Sequence, residues 1–101
     1  MVTNKQQVIN TLKKNSRLLK KFGVEKMGIF GSFVSGKQNN NCDVDLLVQF
    51  KKGQKNFRNF MGTADLTETL LGRSVDLLTP ESLSPYIGPH IKNDAEYVQI
   101  T

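Results

Sequence analysis

A small α/β or α+β fold is what this sequence predicts, on three observations. An apolar stripe at helical spacing opens the chain, segments of alternating apolar residues follow, and the two kinds of segment interleave. Their order is helix, strand, turn, strand, helix, strand, helix, which suits a small sheet flanked by helices.

Each element carries its own signal. Thr3 with Gln6 three residues later predicts a capping box. Val8, Ile9, Leu12, Leu19 and Phe22 then recur at near-helical spacing, Asn15-Ser16 predicts a break in that run, and Gly23 predicts its end. Val24 to Phe30 reads as a first strand, followed at once by Gly31-Ser32. The link from Phe30 to Asp43 is long enough for a short helix or a wide hairpin loop, and Gln38 to Asn41 within it is polar and turn-forming.

Asp43 to Phe50 is the clearest strand, with Val44, Leu46 and Val48 facing one way and Asp43, Asp45 and Leu47 the other. Lys51 to Lys55 is a basic loop containing Gly53. Asn56 predicts the cap of a helix whose Phe57, Phe60, Met61, Ala64 and Leu71 share a face, with Gly72 just past its end. Ser74 to Thr79 reads as a third strand, closed by Pro80. Pro85, Gly88 and Pro89 allow only a short or broken helix beyond it, and Ala95 to Ile100 forms a last turn or a short strand.

Composition narrows the class. A chain of 101 residues suits one domain, residues 1–101, and its 38% hydrophobic and 23% charged residues are ordinary for a folded protein. No apolar run is long enough to span a bilayer, and the start Met1-Val2-Thr3-Asn4 does not resemble a signal peptide. Cys42 is the single cysteine, so no internal disulfide forms and no Cys/His set could hold structural zinc; a cytoplasmic protein is expected. The net charge of +5 gathers in Lys13, Lys14, Arg17, Lys20 and Lys21 and again in Lys51, Lys52, Lys55 and Arg58. Such surfaces favour phosphate-bearing or acidic partners. No interleaved aromatics of the base-stacking kind accompany them, so stable binding to duplex nucleic acid is not expected. The second basic group is expected to meet a partner or a triphosphate instead.

The carboxylates carry the chemistry. Asp43 and Asp45 stand two apart on one strand, which puts both side chains on one face with Cα atoms roughly 6.5–7 Å apart. Two such carboxylates repel unless a cation sits between them. Magnesium suits the site, held by a few carboxylates with water and substrate phosphates completing its shell. Asp76, alone among the apolar residues of Ser74-Val75-Asp76-Leu77-Leu78, is the candidate third carboxylate from a separate strand. These three are a third of the nine acidic residues, and they fall in the two most apolar strands. Gly31 permits a sharp turn and Ser32 offers a hydroxyl and an N–H at a possible helix start, a combination able to cradle phosphate.

Two other motifs are refused. Gly31 to Lys37 fits the opening of a P-loop, but Gln38 stands where Ser or Thr should hold magnesium. An EF-hand is excluded because Leu47 occupies its third ligand position. His90, between Pro89 and Ile91, reads as a surface histidine, and Tyr86 and Tyr97 as packing residues.

Taken together, Gly31-Ser32, ten intervening residues, Asp43-Val44-Asp45 and then Val75-Asp76-Leu77-Leu78 resemble the signature of the DNA polymerase β-like nucleotidyltransferase superfamily. Over its whole length the chain is similar to the minimal nucleotidyltransferases, many of which are antitoxins of HEPN-domain toxins. The resemblance implies a mixed sheet flanked by helices, the nucleotidyltransferase fold, and transfer of a nucleotidyl group from a nucleoside triphosphate, ATP above all. It implies Gly31 and Ser32 on the triphosphate, and Asp43, Asp45 and Asp76 as catalytic ligands of one or two magnesium ions. The implied acceptor is a tyrosine of a HEPN toxin, which AMP transfer silences. Two departures stand out: Val34-Ser35-Gly36 replaces the Ala-Arg-Gly of many relatives, and Cys42 stands where serine is common. Lys37 or the basic loop is a candidate to replace the lost arginine.

Nothing in the chain beyond this unit is expected to bind an acceptor, so a partner protein or a homo- or hetero-oligomer must complete the cleft. Two alternatives belong to other classes: an antitoxin that masks its toxin without catalysis, and a transferase modifying small molecules of the antibiotic kind.

Overall fold

The computed structural model describes residues 2–36 and 43–101. Helix α1, Lys5–Lys14, is followed after Asn15 by a short α2, Ser16–Lys20. The break predicted at Asn15-Ser16 is present, because the Asn15 N–H closes the first helix on Thr11 while its carbonyl starts the next. The cap lies one residue later than predicted. Asn4 accepts from the Gln7 N–H at 2.9 Å, and the Gln7 side chain reaches back to the Thr3 N–H at 2.7 Å. An asparagine caps as well as a threonine, and here it does so.

Strand β1 is Val24–Phe30, α3 is Ser32–Ser35, β2 is Val44–Phe50 and α4 is Phe57–Leu71. They are followed by β3, Val75–Leu78, a 3-10 turn at Pro80–Ser82, α5, Gly88–Asp94, and β4, Glu96–Gln99. The sheet runs β3-β2-β1-β4 and is mixed: β1 pairs antiparallel with β2 and β4, and β2 pairs parallel with β3. The link after Gly31 therefore begins with a short helix. The segment Gln38 to Asn41, together with Lys37 and Cys42, lies outside the described residues.

One face of the sheet carries the core. Met27 and Ile29 of β1, Val44, Leu46 and Val48 of β2, Leu77 of β3 and Val98 of β4 bury against Val8 and Leu12 of α1, Leu19 of α2 and Leu71 of α4. Each such side chain withdrawn from water contributes about 1.5–3 kcal/mol. Alternation along the strands sends Asp45 and Asp76 to the opposite face.

Helix α4 departs from its predicted face. Phe57 is 80% exposed and Met61 42% exposed, whereas Thr63 and Thr67 are fully buried. Both threonine hydroxyls donate back into the helix, to Asn59 O at 2.8 Å and Thr63 O at 2.9 Å. Their polar atoms are satisfied internally, so their methyl groups can serve as core. The buried stripe runs through Phe60, Thr63, Ala64, Thr67 and Leu71, and Phe57 falls off it. Tyr86 is likewise no packing residue: it sits at 86% exposure in the loop before α5. Tyr97, in β4, does pack, lying over Gly28 with Lys26 Nζ 4.7 Å from its ring centre. His90 is exposed, as predicted. Among the described residues no helix is long and apolar enough to cross a membrane.

Candidate active site

Strand register assembles the carboxylates. Asp45 lies directly beside Asp76 across the parallel β2–β3 pair, and Phe30 lies beside Asp45 across the β1–β2 pair. Neighbouring strands are roughly 4.8 Å apart, so both aspartates and the residue after Phe30 share one small area at one end of the sheet. That next residue is Gly31. It turns the chain off the sheet at φ 75°, ψ −145°, and its Cα faces the Asp45 carboxylate so closely that any Cβ would overlap Oδ2. Gly31 is required here twice over, by backbone angle and by space. Asp43 is exposed at the entry to β2, Asp76 is exposed on β3, and Asp45 is half-buried between them.

Burial pushes the Asp45 carboxyl above the ordinary carboxylate range, and the charges of Asp76 and Asp43 push it further. The two neighbours act on Asp45 because all three are close. Among the described residues they do not close into a ready-made set of three metal ligands. Their grouping is one of mutual repulsion, which a cation would relieve.

Ser32 begins α3 and is half-buried. The helix starts directly after the Gly31 turn, beside Asp45. The replaced arginine position, Ser35, ends α3. Lys37 lies outside the described residues, and Lys51 and Lys52 stand at the far end of β2, ~20 Å along the strand from Asp45. Lys51 and Lys52 are thus badly placed to replace an arginine at the phosphate site.

Arg73 is a member of this end of the molecule that sequence reasoning missed. Buried between Gly72 and β3, it donates from Nε to the Val2 carbonyl at 2.6 Å and places its guanidinium 5.2 Å from the ring centre of Phe33. It thereby ties α3 to the start of β3. The available signal was an arginine standing directly between a helix-ending glycine and an apolar strand.

Two substitutions report on this geometry. Gly31→Ala should destabilise the fold by roughly 1–3 kcal/mol, since alanine is strained at that φ and its methyl displaces Asp45; urea denaturation measures it. Asp45→Asn should do the reverse in metal-free protein at neutral pH. A raised carboxyl pKa means the folded state binds its proton more tightly than the unfolded chain does. The ionised Asp45 therefore lowers stability as pH rises through the raised pKa, and the cost is full above it. In chelator at pH 7.5 the asparagine variant should melt higher than wild type. The difference should shrink as pH falls towards the ordinary carboxylate range.

A mixed sheet with a glycine turn delivered against a carboxylate pair drawn from two adjacent strands defines a nucleotidyltransferase. The nucleotidyltransferase domain family matches residues 9–100, and the chain belongs to it; within the polymerase β-like superfamily it is a minimal nucleotidyltransferase, and so an enzyme. It is 33% identical over 93 residues to the protein adenylyltransferase MntA of Thermococcus cleftensis, covering 92% of this chain and 91% of that one. A solved structure assigned as a minimal nucleotidyltransferase superimposes with a TM-score of 0.71 at 25% identity, over 87% of this chain and 93% of the other. A toxin–antitoxin crystal structure with AMP-PNP shares the fold at a TM-score of 0.64 and 21% identity, over 98% of this chain and 73% of that one.

Proposed function

We propose that this enzyme transfers AMP from ATP to a tyrosine hydroxyl of a HEPN-domain toxin and so acts as its antitoxin, with Asp43, Asp45 and Asp76 as the catalytic carboxylates. The observation that carries the reading is the register pairing of Asp45 with Asp76 directly against the Gly31 turn. Similarity to a protein adenylyltransferase, and a fold shared with a toxin–antitoxin structure, support a protein acceptor.

The donor set fits magnesium: hard carboxylate oxygens, raised in energy by mutual repulsion, with the outer two exposed to solvent and substrate. Asp43, Asp45 and Asp76 would hold it, and when bound it supplies positive charge for the triphosphate and for the oxygens of an in-line displacement. The Gly31 turn and Ser32 receive the triphosphate beside Asp45, and Arg73 braces the helix that follows through Phe33. Asp76, on the other side of Asp45 from Gly31, faces the acceptor. The phenolic oxygen attacks the α-phosphorus, the bond from that phosphorus to the bridging oxygen breaks, and pyrophosphate leaves. Asp76 takes the phenolic proton and passes it to solvent.

The test is incubation with α-labelled ATP, magnesium and the protein encoded beside this chain's gene, followed by mass spectrometry of that protein. Addition of AMP to a tyrosine is the expected result. Toxin inhibition that proceeds fully without nucleotide would favour masking, a reading to which Ser35 in place of arginine lends some weight.

A further inference from the structure

Beside Asp76 lies a groove with no part in the chemistry described so far. It is a cavity of about 410 Å³ between the end of β3, the start of α4 and the 3-10 turn, lined chiefly by Phe57, Phe60, Leu77, Leu78, Thr79 and Ser82. Leu77 and Leu78 directly follow Asp76, so the groove begins ~7 Å along the strand from that carboxylate. Strand β3 is an edge of the sheet. Across the sheet the order is Gly31 at the end of β1, Asp45 on β2 and Asp76 on β3; the groove follows along β3 at its far end, where Leu78 shares the face of Asp76 and Leu77 packs towards Phe60 of α4. The groove lies on the side of the carboxylates away from the Gly31 turn.

Its surroundings are unusual for free surface. Phe57 at 80% exposure and Met61 at 42% stand out from the same end of α4, two large apolar side chains left in water. Lys55 lines the groove and reaches Glu81 of the 3-10 turn at 3.3 Å, and exposed Lys51, Lys52 and Arg58 stand near it in the chain. The positive end of the α4 dipole opens at the same place, with no acidic residue in its first turn. An apolar floor, a cationic rim and an adjacent carboxylate select a particular occupant.

We propose that this groove docks the acceptor segment of the partner protein, a segment that carries apolar or aromatic side chains flanked by acidic residues and presents its hydroxyl at Asp76. The inference rests on the protein-transfer reading above and adds the partner's chemistry and its path of approach. Apolar side chains fill the space between Phe57, Phe60 and Leu78, acidic residues meet Lys55 and the basic residues near it in the chain, and the segment leads along β3 to the carboxylates.

Two measurements test it. The first is NMR of the labelled chain with a synthetic peptide, Glu-Leu-Tyr-Glu-Phe-Asp, at millimolar concentration, beside versions with lysine for each acid or serine for leucine and phenylalanine. Shifts are expected at Phe57, Leu78 and Ser82, with binding at least tenfold weaker for both altered peptides. Absent shifts, shifts confined to other surfaces, or equal binding of the lysine peptide overturn the proposal. So does displacement of the peptide by adenosine, which would make the groove a base pocket. The second is transfer to the neighbour-encoded protein by Phe57→Ser and Met61→Ser variants, whose exposed positions leave the fold intact. KM for that protein should rise at least tenfold with ATP affinity unchanged. Unchanged KM with normal transfer leaves the adenylyltransferase reading standing and removes the groove. Peptide binding in the groove without any transfer supports the groove and removes the reading. Loss of a homodimer in the Phe57→Ser variant, seen by light scattering, would assign the face to a second copy and overturn the proposal.

Discussion

Replacing Asp43 and Asp45 together by asparagine is expected to abolish nucleotide transfer and to erase the rise in melting temperature that ATP with magnesium gives the wild type. Asp45 stands between Asp43, Asp76 and the Gly31 turn, so losing both β2 carboxylates leaves only Asp76 to attract a cation. A ligand at a hundredfold excess over its Kd stabilises by about 2.7 kcal/mol. In a domain near this size that is roughly 10–20 °C in Tm, well above the error of a melting curve. The variant itself should fold, because Asp43 is exposed and asparagine at position 45 removes a charge that burial and its acidic neighbours penalise. A shift of wild-type size in the double variant would remove the metal site from these residues.

The strands and the carboxylates were legible in the sequence because their signals are local. Val24–Phe30 lies between Gly23 and Gly31, so its bounds could be read directly although a register shift between Val24 and Lys26 interrupts its alternation, and Asp43 and Asp45 are conspicuous on an otherwise apolar strand. Gly31 was found as a turn residue, but that it faces Asp45 depends on the β1–β2 register, which no local pattern states. Sheet order was equally hidden: β4 returns from the end of the chain to pair with β1, a contact between segments about seventy residues apart. The helix faces failed where polarity misled. Thr63 and Thr67 look solvent-facing until their hydroxyls are seen to be satisfied within α4, and Phe57 looks like core until those threonines have taken its place. Arg73 went unread because a buried arginine is recognised by its partners, Val2 and Phe33, which lie far away in sequence.

Asp76→Asn should separate binding from chemistry. Asp43 and Asp45 lie on the Gly31 side and can by themselves place a cation on the triphosphate, so ATP affinity measured by calorimetry should stay within a few-fold of wild type. Asp76 sits one strand further out, between those groups and the groove that opens at Leu78. From there it reaches the acceptor oxygen, where negative charge develops only as the phosphorus is attacked. An interaction of that kind lowers the barrier without strengthening the ground state. Its loss should lower the transfer rate roughly a hundredfold or more, the scale on which single electrostatic contributors act, equal to about 2.7 kcal/mol in the barrier. Melting temperature should scarcely move, because the side chain is exposed. The assay is the rate at which AMP appears on the neighbour-encoded protein, by mass spectrometry, with ATP held above its Kd. Transfer at the wild-type rate would mean that Asp76 takes no proton and holds no cation. The β3 carboxylate would then be a bystander, and catalysis would have to be sought in Asp43 and Asp45 alone.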